Sequence, residues 1–172
     1  MPVTRIPVDV VMERVPLQSR WASEKWQPAA VVAAGGPGTE SIASGAPELI
    51  TDTAQGTQWR FPRCSVELHP TEAEGYYLNL STDQPRAFVM WRMYDDGQAP
   101  VARPVVVTLS YNEAARMMDG GEQVDSVALS PMLRALLAPF AQEHYKPEPK
   151  KKVRRNDPFA EGAFRRERGS RN

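Results

Sequence analysis

The alternation of apolar and polar residues predicts that most of the chain folds as short β-strands. Residues 8–15 are rich in β-branched side chains between two prolines, and residues 29–34 are a second apolar run, a pattern typical of strands. Four further strands are predicted at Ser65–His69, Tyr76–Ser81, Ala87–Tyr94 and Val101–Leu109. A run of consecutive strands favours a mainly antiparallel sheet, built as a meander or a small open barrel.

Two short helices are predicted after the strands. Tyr111–Asp119 repeats apolar residues at helical spacing, and Ser110 with Glu113 three residues later forms a capping-box pattern. The second helix begins at Ser130, and Pro139 inside it should kink or split it. The fold class predicted from the sequence is therefore α+β.

Two stretches of the chain lack such periodicity. Residues 35–56 open on Gly-Gly-Pro-Gly and continue with small and polar residues, which predicts a long, mobile loop. From Lys146 onward the chain has too little apolar surface to offset the entropy lost on ordering. The sequence therefore predicts one strand-rich globular domain, residues 1–145, followed by a basic, disordered tail, residues 146–172.

The charge of the chain divides at the same place. The formal net charge is zero, but residues 146–172 carry ten Lys/Arg and four Asp/Glu, so the tail is +6 and residues 1–145 are −6. The densest part of the tail is Lys150, Lys151, Lys152, Arg154 and Arg155. A basic run of this kind binds polyanions or acidic partners, so nucleic acid is one ligand that the tail could take.

Composition argues against several classes of protein. No run approaches the roughly 20 apolar residues of a membrane span, and the N-terminal residues lack the basic-then-apolar pattern of a secretory signal. Cys64 is the single cysteine, so the fold does not depend on an internal disulfide. We therefore expect a cytoplasmic protein without a membrane span.

The spacing of reactive residues predicts neither a metal site nor a catalytic site. Cys64, His69 and His144 lack the paired arrangement of zinc ligands. Cys64 with His144, or Ser110 with His69, lacks the local signature of a nucleophile and its base, and Ser110 already has a role as a helix cap. We therefore predict no catalytic residue, no metal and no cofactor, and the sequence favours a protein that is not an enzyme.

Aromatic residues are the feature that suggests binding. Several of them fall on predicted strands, where they could stack nucleic-acid bases, but an acidic body does not attract phosphate. Core packing or a protein-binding face explains them better, since Tyr, Trp and Arg are enriched at protein interfaces. The candidate protein-binding residues are Trp21, Trp26, Tyr77, Tyr111, Asn112, Glu113 and Arg116.

Three segments of the chain together resemble a known family. They are Val10–Arg14 leading to Trp21–Pro28, Leu68–Pro70 with Tyr76–Ser81, and Ser110–Glu122. The combination resembles the bacterial family of unknown function DUF3305 over about residues 8–149. The resemblance implies a link to molybdenum-dependent formate dehydrogenase, because members of the family tend to be encoded beside the genes for that enzyme and its accessory proteins.

The leading hypothesis is therefore a cytoplasmic, non-enzymatic accessory or assembly protein. It would bind a subunit or maturation factor of a molybdenum-dependent formate dehydrogenase through protein–protein contacts. One alternative is a nucleic-acid-binding protein that uses the basic tail. The other is a small enzyme that processes a pterin or a nucleotide.

Overall fold

Strands dominate the fold in the computed structural model, which describes residues 3–34, 46–95, 97, 99–147 and 149. Within these residues the strands are β1 (Thr4–Pro16), β2 (Glu24–Ala33), β3 (Glu48–Thr53), β4 (Gly56–Leu68), β5 (Arg86–Tyr94), β6 (Val101–Thr108) and β7 (Val124–Ala128). The helices are α1 (Ala73–Leu80), α2 (Tyr111–Asp119) and α3 (Pro131–His144), and a 3-10 turn at Pro70–Glu72 precedes α1.

The described strands form one mixed sheet that is nearly closed into a barrel. The order is β2-β1-β4-β6-β5-β7, and β3 pairs with β4 outside this path. β4 and β6 are parallel and meet at Val66 and Val107, whereas the other strand pairs are antiparallel. The end strands β2 and β7 lie close to each other. The sheet is therefore not purely antiparallel, and a simple meander is excluded.

The core lies where the inner face of the sheet meets α1 and α3. Alternate residues of β1 are buried, as expected for a strand with one face toward a core. Helical spacing in α3 buries Leu133, Leu137 and Ala141 against the same cluster. Pro139 lies inside α3 but does not split it. Among the described residues, no helix is long and apolar enough to cross a membrane.

The predicted strand at Tyr76–Ser81 is wrong, because these residues belong to α1 and its C-cap. Tyr76 and Asn79, three residues apart, are both fully buried, whereas Leu78 is 41% exposed. That burial pattern follows the helical period rather than the alternation of a strand.

The predicted loop at residues 35–56 is wrong in its second half. Residues 48–53 form β3, which pairs with the first part of β4, and residues 35–45 lie outside the described residues. β4 begins at Gly56, well before the predicted strand at Ser65–His69, and β7 was not predicted at all. β3 escaped prediction because all six of its residues are exposed and therefore carry no apolar alternation.

Candidate functional site

The connection between β1 and β2, residues 17–23, displays a tryptophan at one end of the sheet; we call it the hairpin tip. The Leu17 N–H donates to the Ser23 carbonyl at 2.9 Å and closes the base of the connection. The backbone N–H of Trp21 donates to Ser19 Oγ at 3.2 Å. Trp21 itself is 94% exposed. Local hydrogen bonds therefore shape the backbone while the indole extends into solvent.

Arg14 contacts aromatic and polar side chains at the base of the hairpin tip. Its guanidinium lies 5.7 Å from the centre of the Trp26 ring and 5.5 Å from that of Trp59, within the range of cation–π attraction. It also donates to Thr57 Oγ1 at 3.3 Å and lies 3.4 Å from the Glu24 carboxylate. Trp26 and Trp59 stack with centroids 5.2 Å apart. Trp26, a candidate binding residue, therefore packs against the core instead of extending into solvent.

The remaining candidate residues lie at the other end of the sheet. β1 and β4 are antiparallel, so Thr4 at the start of β1 faces Leu68, from which the chain enters the 3-10 turn and α1. Each strand has 13 residues and spans about 40 Å at roughly 3.3 Å per residue. The residues at this second end are Tyr77, Tyr111, Asn112, Glu113 and Arg116. The sequence-predicted set therefore forms two separate surfaces.

The helical end of the sheet is held by a polar network around buried Ser110. The Ser110 hydroxyl accepts from the Glu113 N–H at 3.1 Å, as predicted for the N-cap of α2, and donates to Glu72 at 2.7 Å. The Ser110 N–H donates to Thr108 Oγ1 at 3.1 Å instead of to Glu113, so the predicted capping box is not completed. The Glu113 carboxylate accepts from the Thr108 hydroxyl at 2.9 Å. Arg116 forms an ion pair with Glu72. These contacts fasten α2 to the turn before α1.

An open cleft of about 440 Å³ lies beside this network. It is lined by His69, Thr71, Glu72, Glu113, Arg116 and Met117. The two glutamates of the lining are hydrogen-bonded to hydroxyl groups within the fold, and His69 lies 3.4 Å from Glu67. Their charges are thus engaged internally, which is what a structural junction requires.

Ser110 and Cys64, the two candidate nucleophiles, have defined surroundings in the structure. Ser110 donates to Glu72 and not to His69. Burial raises the pKa of the Cys64 thiol to about 11, with the Asp9 carboxylate adding to the rise, so the thiol stays protonated at neutral pH. Within the described residues, no group of three or more His, Cys, Asp or Glu could hold a metal ion.

The two tyrosines at the helical end are half exposed, and each contacts one aromatic neighbour. Tyr77 stacks on Tyr145 with centroids 4.3 Å apart, and Tyr111 meets Phe88 edge-on at 6.2 Å. Both therefore bury one face in the fold. The cluster Lys150, Lys151, Lys152, Arg154 and Arg155 lies outside the described residues.

Fold and surfaces together define a small α+β protein with a nearly closed sheet and an aromatic hairpin tip at one end. At the other end, Glu72, Ser110, Glu113 and Arg116 join α1 to α2, and we call this group the helical junction. A family model described as "Protein of unknown function (DUF3305)" matches residues 7–154, and the chain belongs to this family. No curated protein and no solved structure matches the chain.

Proposed function

We propose that the chain is a non-enzymatic accessory or assembly protein of a molybdenum-dependent formate dehydrogenase. It acts by binding a subunit or maturation factor of that enzyme. The observation that carries the binding role is Trp21, 94% exposed on a hairpin tip closed by its own hydrogen bonds. Tryptophan is among the residues that dominate interface energies, and a partner that covers this side chain removes a large apolar area from water.

The choice of partner rests on the family. The chain belongs to DUF3305, and the resemblance implies a gene neighbourhood that contains formate dehydrogenase and its accessory proteins. A protein encoded with an enzyme complex and displaying an unpartnered aromatic anchor fits the role of an assembly factor better than that of an independent enzyme. The helical junction supports this proposal, because its charged groups are used to hold α1 and α2 together.

The test is capture of the enzyme by the full-length chain in its native host. We expect the tagged chain to recover a formate dehydrogenase subunit or maturation factor, and Trp21→Ala to lower that recovery at least tenfold. Because Trp21 is almost fully exposed, the substitution should change the free energy of unfolding by no more than about 0.5 kcal/mol.

Leu49→Ala is the matched control, since Leu49 is also an exposed apolar residue but lies on the edge strand β3. It should leave recovery unchanged. If the wild-type chain recovers no component of a molybdoenzyme, the proposed function is wrong.

A second candidate function is nucleic-acid binding through the tail, favoured by its net charge of +6. With about five contacts to phosphate, binding to single-stranded nucleic acid should weaken about 100-fold between about 50 and 200 mM salt. Replacing Lys150, Lys151 and Lys152 by glutamine should remove most of this dependence. Fluorescence anisotropy with a labelled oligonucleotide checks it, and salt-independent binding, or none, would exclude this candidate.

A further inference from the structure

The hairpin tip and the adjoining start of β2 carry two exposed cations on a body whose net charge is negative. Arg20 and Lys25 flank Trp21 and are exposed, and neither forms an ion pair with another described residue. Two carboxylates lie near Arg14 at the base of the tip: Glu24, 3.4 Å from Arg14 Nε, and Asp52, which accepts from the Thr57 hydroxyl. Residues 1–145 as a whole carry a net charge of −6. The tip and the start of β2 therefore place two exposed cations beside an exposed indole.

The tip is also pre-organised for docking. Its closing hydrogen bonds and the Arg14 brace over Trp26 and Trp59 hold the backbone before any partner arrives. Few further bond rotations then have to be fixed when a partner binds, which lowers the entropic cost of binding. Such a projection fits a concave partner site better than a flat one, because a 94% exposed indole on a narrow turn can be enclosed on several sides.

We infer that the hairpin tip inserts Trp21 into an apolar pocket on the partner protein, and that carboxylates on the rim of this pocket face Arg20 and Lys25. This inference rests on the proposed function and adds the chemistry of the partner surface. Opposite charges at the rim steer the approach and fix its orientation. Within residues 1–145 the net charge of −6 reinforces that orientation, because it repels an acidic partner surface that approaches this part of the chain away from the tip.

An anionic membrane is the competing occupant, since tryptophan flanked by basic residues also suits a lipid interface. Insertion of the tip into a bilayer would bring residues 1–145, with their net charge of −6, close to an extended anionic plane. The rim of a pocket is local and faces the tip alone. The charge of residues 1–145 therefore favours the pocket, whereas the +6 tail would be attracted to either partner.

The test measures association and dissociation rates of the full-length chain on purified formate dehydrogenase holoenzyme from the same host. The charge-reversal variant Arg20→Glu/Lys25→Glu should lower the association rate constant about tenfold at about 50 mM salt and much less at about 300 mM. The conservative variant Arg20→Lys/Lys25→Arg should keep the wild-type rate. Trp21→Ala should raise the dissociation rate constant at least tenfold, because it removes the anchor.

The outcomes separate the inference from the proposed function. If the wild type binds the enzyme and all three variants bind equally well, the docking surface is wrong while the accessory role stands. If charge reversal leaves the association rate unchanged, the acidic rim is wrong. Sedimentation of the wild-type chain with phosphatidylcholine–phosphatidylserine vesicles, lost in the charge-reversal variant, would assign the tip to a membrane and overturn the inference. If the wild type does not bind the holoenzyme, the inference is wrong, and the proposed function is then decided by whether the chain captures a subunit or maturation factor in the native host.

Discussion

Replacing Gly75 with alanine is expected to lower the free energy of unfolding by about 3 kcal/mol. A Cβ atom at this position would lie 2.0 Å from Ser110 Oγ and 3.1 Å from Ser110 Cβ. Ser110 cannot move away easily, because it is fully buried and its hydroxyl bonds both Glu72 and the Glu113 N–H. The added methyl group would therefore push α1 away from the N-terminus of α2 and break the N-cap.

Gly120→Ala is the matched control for this substitution. A Cβ atom there would make an ordinary contact of 3.4 Å with the Met117 carbonyl, and the backbone φ of −76° suits alanine. We expect its unfolding free energy to lie within about 0.5 kcal/mol of wild type. Chemical denaturation of both variants checks the prediction. Equal stability of the Gly75 and Gly120 variants would show that the close approach of α1 to Ser110 does not exist.

Asn79→Asp is expected to cost about 3 kcal/mol at neutral pH. Asn79 is 1% exposed, and its amide nitrogen donates to the carbonyls of Arg86 at 2.7 Å and Leu109 at 2.9 Å. Its amide oxygen accepts from the Arg86 N–H at 2.9 Å. An aspartate would keep the last bond but place a buried carboxylate oxygen against two carbonyl oxygens.

The cost of Asn79→Asp should depend on pH. Burial and the two carbonyls would raise the pKa of a carboxyl group at this position above its unfolded value. A group with a raised folded pKa is tolerated best when protonated, and its stability contribution is lost as the pH rises through the folded pKa. The deficit relative to wild type should therefore be smaller near pH 4.5 than near pH 7.5, as urea midpoints at the two pH values would show.

Asn112→Asp is the control for this second substitution. Asn112 lies in the first turn of α2 and is only partly buried, and a negative charge there interacts favourably with the helix dipole. Its stability should be unchanged or slightly raised. A deficit of the Asn79 variant that is independent of pH would contradict the assigned hydrogen bonds.

The elements predicted correctly are those defined by local signals. α2 begins and ends at the predicted residues because Ser110 caps it and Gly120 follows it. α1 was mistaken for a strand because Tyr76 and Tyr77 favour strands. Its helical state depends on distant contacts, such as the bond from Asn79 to Leu109, 30 residues away. Pattern along the chain could not reveal such a contact.

The sequence alone could not show that the candidate binding residues form two separate surfaces. Trp21 falls between the strands predicted at residues 8–15 and 29–34, and the structure places it on the hairpin tip. Trp26 was grouped with it by sequence proximity, but its ring stacks on Trp59, which comes from the hairpin of β3 and β4. Nothing in the sequence around Trp26 indicates that its ring contacts Trp59. The pairing of β1 with β4 likewise sets the distance between the tip and α2, and no local motif in the sequence predicts it.

We propose that Trp21 anchors the chain on a formate dehydrogenase component. The most direct test is fluorine NMR of the full-length chain labelled with 5-fluorotryptophan, which reports the four tryptophans separately. Assignment comes from the Trp21→Phe variant, in which one resonance disappears. On addition of the purified enzyme, we expect the Trp21 resonance to shift and to lose its response to solvent, while the resonance of buried Trp91 keeps its position. A Trp21 resonance that stays unchanged at saturating enzyme would show that Trp21 is not the anchor.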